Sequence, residues 1–144
     1  MEYNTKGIHS DKSEIEYITN VFFDIFTNAN KQPDWAIINR VCIPQTIIIK
    51  KSDTAEVVYN LDGFIEPRRK ILSDGTLTGF QESEIKEETK IIGTIAQRFS
   101  RFQKSGYLNG EYFKAYGNKL FQFIKTTNGW IINSVIWEDD KIEK

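Results

Sequence analysis

Between Lys119 and Glu138 the chain reads KLFQFIKTTNGWIINSVIWE, two β-rich runs joined by Asn128-Gly129. Asn-Gly suits a type I′ turn, whose two central residues take positive φ, so the stretch predicts a β-hairpin turning at that pair. Counting outward pairs Thr127 with Trp130, Lys125 with Ile132, Phe123 with Ser134, Phe121 with Ile136, and Lys119 with Glu138 as opposite charges. The other face takes Leu120, Ile124, Ile131, Val135 and Trp137, with Gln122, Thr126 and Asn133 among them. An antiparallel sheet with one face in water alternates apolar and polar residues. Here both faces are half apolar, so each is expected to be covered.

Upstream, Ser13-Glu14-Ile15-Glu16 has the form of a capping box and predicts a helix start. Ile15, Ile18, Phe22, Ile25 and Phe26 then follow as one helical stripe that ends at the Asn-rich 27–30. Asp34 reads as the N-cap of a short second helix carrying Trp35, Ile38 and Val41, stopped by Pro44. Gln45 to Lys51 is β-branched and reads as a strand. Leu61 to Leu72 has helical spacing, with Pro67 either kinking the helix or beginning its regular part. Leu77 to Thr89 and Lys90 to Phe102 read as strands; on the second, Ile92, Thr94, Ala96, Arg98 and Ser100 share one side, and Ile91, Gly93, Ile95, Gln97 and Phe99 the other. The order helix, helix, strand, helix, four strands is not that of parallel βαβ folds. It predicts an α+β fold, a curved antiparallel sheet wrapped around N-terminal helices to form a cone.

The 144 residues fit one domain, expected over 12–144 after a mobile start at 1–11. Lys plus Arg (19) nearly balance Asp plus Glu (20) without a basic stripe, so neither nucleic acid nor a membrane surface is an expected partner. One cysteine, Cys42, and one histidine, His9, leave no Cys/His zinc cluster and no disulfide within the chain, and no metal or cofactor is expected. Cys42 reads as a small buried hydrophobe, and His9, in the polar start, as a poor general base. No basic leader precedes an apolar core and no apolar run is long enough to span a bilayer, so the expected compartment is the cytoplasm.

This layout resembles the nuclear transport factor 2-like superfamily of cone-shaped, cystatin-like domains, over nearly the whole chain after Ser10. The residues that carry the resemblance are Phe64-Ile65-Glu66-Pro67-Arg68 with Asp74-Gly75, Gly93 through Ser100, Lys104-Ser105-Gly106, Leu108-Asn109-Gly110, Gln122-Phe123-Ile124, and Gly129-Trp130 through Trp137-Glu138-Asp139-Asp140. They are similar to a bacterial branch of small stand-alone members. The superfamily's enzymes include ketosteroid isomerase, scytalone dehydratase, polyketide cyclases and limonene epoxide hydrolase, which do acid-base work inside an apolar cone. This chain has no histidine on the sheet, and Arg98 is followed two residues on by Ser100 rather than by the Asp of the epoxide hydrolase triplet. The resemblance therefore implies a fold and a pocket rather than a reaction.

The candidate pocket residues are Trp35, Phe64, Arg68, Arg98, Gln122 and Trp137, with the Gln122 face of the hairpin taken as concave and Lys119, Lys125 and Glu138 assigned to a rim or a partner subunit. A buried guanidinium needs an anion, and for Arg68 and Arg98 two partners stay open: a ligand carboxylate, or Glu66, Glu82 or Glu84 in a structural ion pair. Trp35, Trp130 and Trp137 likewise read either as core and interface or as a ligand platform. Two functions follow. One is a small-molecule site for a largely apolar molecule with a carboxylate or other oxygen acceptor, acting as an isomerase or lyase through Asp or Glu if it is an enzyme. The other is a non-catalytic module, its pocket filled by its own Phe22, Phe26 and Phe64. On either reading a homodimer through one sheet face is expected.

Overall fold

A computed structural model describes residues 2–141, with side chains from Asp11 to Lys141. The chain runs through helix α1 (Glu2–Asp24), a 3-10 turn (Trp35–Ile37), α2 (Ile38–Val41), strands β1 (Cys42–Lys51) and β2 (Glu56–Tyr59), α3 (Leu61–Ser73), and then β3 (Leu77–Ile92), β4 (Ile95–Leu108), β5 (Glu111–Thr126) and β6 (Gly129–Asp139). The strands form one sheet in the order β2-β1-β6-β5-β4-β3. Every pairing is antiparallel except β1 with β6, which is parallel, so the sheet is mixed where wholly antiparallel pairing was expected. The reason is topological: the chain returns from β5 into β6 antiparallel, and β1 fills the slot beside it in the direction that α2 delivers it. Strands outweigh helices, and the predicted α+β cone is the architecture observed.

The α1 stripe behaves as its spacing requires: Ile15, Ile18, Phe22, Ile25 and Phe26 are buried, joined by Thr19, whose hydroxyl bonds back to the Ile15 carbonyl at 2.8 Å. The helix does not start at Ser13; it is continuous from Glu2, and Glu14 instead accepts from the Trp130 amide at 3.3 Å across to the sheet. Asp34 caps the 3-10 turn as expected, accepting from the Ala36 amide. The α3 helix runs through Pro67 to Ser73, capped by Asn60. Asn28, just beyond α1, accepts from the Phe80 amide at 2.7 Å and donates to the Leu72 and Leu77 carbonyls, tying the ends of α1 and α3 to β3. The edge strand β2 was not foreseen, because Glu56–Tyr59 is short and exposed. The β3–β4 turn falls at Gly93-Thr94, later than the expected boundary near Lys90.

The hairpin forms, in another register. Thr126 pairs with Gly129, so the turn is Thr127-Asn128, and only Gly129 takes positive φ, at 109°. Lys125 then faces Trp130 and Phe123 faces Ile132; beyond a bulge that leaves Asn133 without a partner, Gln122 faces Ser134, Phe121 faces Val135 and Lys119 faces Trp137. The bulge rotates the rest of β6 by one residue, which places Trp137 on the same side as Lys119, Phe121 and Phe123.

Candidate functional site

The concave side of the sheet is the side of Phe102, Gly117, Lys119, Phe121, Phe123, Ile132 and Trp137, all buried. Beneath α1 and α3 it encloses a cavity of about 530 Å³. Its apolar wall comes from Phe22 and Phe26 of α1, Phe64 and Leu72 of α3, Phe80 of β3 and Trp137 of β6. These rings support one another edge to face, Phe22 on Phe26 at 5.7 Å, Phe26 on Phe64 at 5.6 Å and Phe64 on Trp137 at 5.5 Å. The three phenylalanines expected to fill a closed cone thus line an open space.

The polar groups at this cavity are mostly cationic: Lys50, Arg68, Lys104 and Lys119 stand against Glu82, with Asp139 just behind. Lys104 pairs with Asp139 at 2.9 Å, and Lys50 lies 3.9 Å from the same carboxylate. Lys119 Nζ, on a residue only 6% exposed, pairs with Glu82 Oε2 at 2.8 Å and lies 4.1 Å from the Phe102 ring centroid. Burial draws the Lys119 pKa below the ordinary lysine value; Glu82 opposes this and the like charge of Lys104 assists it. Arg68 lies over the Phe64 ring at 3.8 Å, flanked by Tyr59 and Trp137, and donates to the Phe64 carbonyl at 3.0 Å. No carboxylate among the described residues reaches ion-pair distance of it. Burial lowers its pKa also, against the Tyr59 hydroxyl and the more distant Glu82 and Asp139.

Of the six residues expected to share a pocket, the structure brings together Phe64, Arg68 and Trp137. Trp35 lies behind the wall, edge-on to Phe26 at 5.9 Å, with Arg69 over its outer face. Gln122 is on the convex side, exposed, accepting from the Ser134 hydroxyl at 2.8 Å; the face chosen as concave is the convex one. Arg98 is fully buried at the seam of α1, β3 and β4, away from the cavity. It donates to both oxygens of Glu84, at 3.0 and 2.5 Å, and to Thr89 at 2.9 Å, with Glu87 and Glu16 at 3.4 and 3.7 Å. Ser100 donates to the same Glu84 carboxylate. Burial pulls the Arg98 pKa down, but Glu84, Glu87 and Glu16 outweigh it and hold it above the ordinary value. Of the two partners left open for Arg98, the intrachain carboxylate is the one present.

Lys119 and Glu82 are the residues that sequence reasoning missed. The expectation placed Lys119 at a rim or a partner subunit, yet it shares parity with Phe121 and Phe123, and a lysine in step with two phenylalanines was the signal available. Cys42 is buried as expected, its pKa pushed up to about 12 by burial. His9 lies outside the described side chains. No helix among the described residues is long and apolar enough to cross a membrane.

Among solved structures, a protein from Kribbella flavida superposes with a TM-score of 0.77 at 16% identity, covering 95% of both chains. A nuclear transport factor 2-like superfamily protein from Salmonella enterica serovar Typhimurium gives 0.75 at 15% identity, over 95% of this chain and 96% of that one. A nuclear transport factor 2-like protein with a cystatin-like fold from Novosphingobium aromaticivorans gives 0.74 at 10%, over 98% and 89%. The chain has the nuclear transport factor 2-like fold. No protein-family profile and no curated protein matches the sequence, so this likeness is one of fold. Within that fold, the cavity above lies between the helices and the concave face of the nuclear transport factor 2-like sheet.

Proposed function

We propose that the cone binds a small, largely apolar molecule bearing a carboxylate, with the carboxylate on Arg68 and the apolar body against Phe22, Phe26, Phe64 and Trp137. The observation that carries this is the charge balance of the cavity: four cations face two carboxylates, and Arg68 is the one without an anion at ion-pair distance among the described residues. A half-buried guanidinium between aromatic rings gives a planar anion two parallel donors in a site of low dielectric. Apolar walls with a few convergent polar groups are the usual anatomy of a ligand site, and about 530 Å³ suits a molecule of one ring and a short acid chain. Where the cone is catalytic, Glu82 is the carboxylate that isomerase or lyase chemistry would use.

The test is thermal unfolding with 3-phenylpropanoate, alongside 3-phenylpropanol as the neutral control. The acid is expected to raise the melting temperature and the alcohol to leave it nearly unchanged; Arg68→Met is expected to weaken the acid's binding about tenfold or more, the scale of one charge-assisted contact. Equal stabilisation by acid and alcohol would refute the carboxylate, and none by either would refute the site.

The module reading keeps one specific support. Phe99, Leu120 and Ile136 are exposed and directly paired across β4, β5 and β6, an apolar row on the convex face that a second copy of the chain would cover. Homodimerisation through that face is compatible with a ligand in the cone, because the two use opposite sides of the sheet.

A further inference from the structure

We propose that Lys119 is an imine-forming amine with Glu82 as its proton partner, taking the carbonyl carbon of an apolar oxo acid whose carboxylate rests on Arg68. This rests on the reading of the cone as a site for small acids and adds a reaction to it. Among the described residues, the two most deeply buried ion pairs are built differently. Arg98 is sealed in a seam, held by both oxygens of Glu84 and by Thr89, with two further carboxylates nearby. Lys119 has a single carboxylate at 2.8 Å, and both members of that pair line the cavity. The surroundings of its Nζ are otherwise aromatic, with Phe102, Phe23 and Trp137 centroids at 4.1, 5.1 and 5.6 Å. Desolvation beside another cation, here Lys104, favours the neutral, nucleophilic form of an amine. Arg68 lies 5.5 Å from the centroid of that same Trp137, so the anion receptor and the amine both lie against one indole.

The step balances within these groups. The Lys119 ammonium passes a proton to Glu82. The amine lone pair then forms a bond to the carbonyl carbon, the C=O π pair moves to oxygen, and a proton shifts from nitrogen to that oxygen, giving a carbinolamine. Protonated Glu82 returns its proton to the hydroxyl, the C–O bond breaks, water leaves, and a protonated imine remains beside the Glu82 carboxylate. The imine draws electrons from the neighbouring carbon, the activation that a carbonyl acid needs for loss of a proton or of carbon dioxide.

The experiment incubates the full chain with phenylpyruvate and sodium cyanoborohydride, which delivers hydride to an imine and fixes it as a secondary amine, followed by intact mass and peptide mapping. One adduct per chain on Lys119 is expected, suppressed by excess 3-phenylpropanoate and absent in Lys119→Met. Glu82→Gln is expected to slow trapping about a hundredfold, the usual scale of a positioned acid-base group. Arg68→Met keeps the amine and is expected to slow trapping of phenylpyruvate about tenfold more than that of the uncharged benzaldehyde, and equal slowing of the two would overturn the placement of the carboxylate, which tests the arrangement even if Lys119→Met fails to fold. Adducts confined to exposed lysines, with 3-phenylpropanoate still stabilising the protein, would overturn the imine and leave the acid site standing. Loss of that stabilisation as well would overturn both.

Discussion

Arg98 is held by Glu84, Glu87 and Glu16 in a site with no exposure, so its removal would leave Glu84 buried without its counter-charge. Breaking such a pair from one side costs about 3–5 kcal/mol. Arg98→Leu is therefore expected to lower the unfolding free energy from urea titration by that amount while leaving the shift produced by 3-phenylpropanoate unchanged; an unaltered unfolding free energy would contradict the seam. The pH response belongs to the carboxylates. Glu87 is held below its ordinary value of 4.5, first by the Thr89 hydroxyl and then, against burial, by Arg98 and Lys12. A depressed folded-state pKa contributes stability that is fully present above the unfolded value and is lost as pH falls through the folded one. Urea midpoints are accordingly expected to drop below about pH 4.5, and less steeply in Thr89→Val. At this scale the alternation of β4 was legible in part: Ala96, Arg98 and Ser100 do face inward together, while Ile92 and Thr94, expected on the same side, are exposed at the β3–β4 turn. Which carboxylate Arg98 meets was not, because Glu84 lies across a strand pairing whose register is shifted between Glu84 and Lys86.

The elements were largely legible, since the α1 stripe, the α3 spacing and the β-rich runs each repeat a period that only one structure satisfies. Faces and registers were harder, because they hang on single residues. Asn-Gly read as the centre of a type I′ turn; in the fold Thr127-Asn128 is the centre and Gly129 supplies the positive φ that follows it, a one-residue slip. The Asn133 bulge then carried Trp137 from the Gln122 side to the Lys119 side, so the tryptophan that had pointed to the Gln122 face as concave lines the cavity beside Lys119 instead. Gly117 tests the packing of this element. A Cβ there would lie 2.5 Å from Phe102 Cζ and 2.6 Å from the Glu138 carbonyl oxygen, backbone that cannot step aside. Gly117→Ala is expected to cost about 1–3 kcal/mol in chemical denaturation, the range for overpacking a tight interior. A neutral result would mean that β5 and β6 lie farther apart here than described.

For the whole molecule, the decisive contrast is between two faces of one sheet. The concave face keeps its charges around a cavity, and the convex face puts Phe99, Leu120 and Ile136 in a row toward solvent. If that row is buried by a second copy, light scattering at micromolar concentration gives the mass of two chains, and Leu120→Glu, which places a charge at its centre, raises the dissociation constant about thirtyfold or more, as loss of a central apolar contact does. A monomer in the unaltered protein would show that the face stays in water. Both apolar faces were evident from the hairpin alone, but periodicity could not rank them, because curvature is a property of the whole sheet.

The parallel slot beside β6 has a bearing on how the chain is made. Thr46 of β1 reaches its partner Ile132 across 86 residues of sequence, and β1 carries β2 with it. Loop closure over that span comes late, after the contiguous β3 to β6 meander has its local turns. During synthesis, the apolar stripe of α1 and the β-branched Ile47-Ile48-Ile49 run leave the ribosome long before the last strand that covers them. A nascent chain stopped before Gly129 would hold those segments without their partner and would call on chaperones, whereas release of the final strand would complete the cone in one closing step.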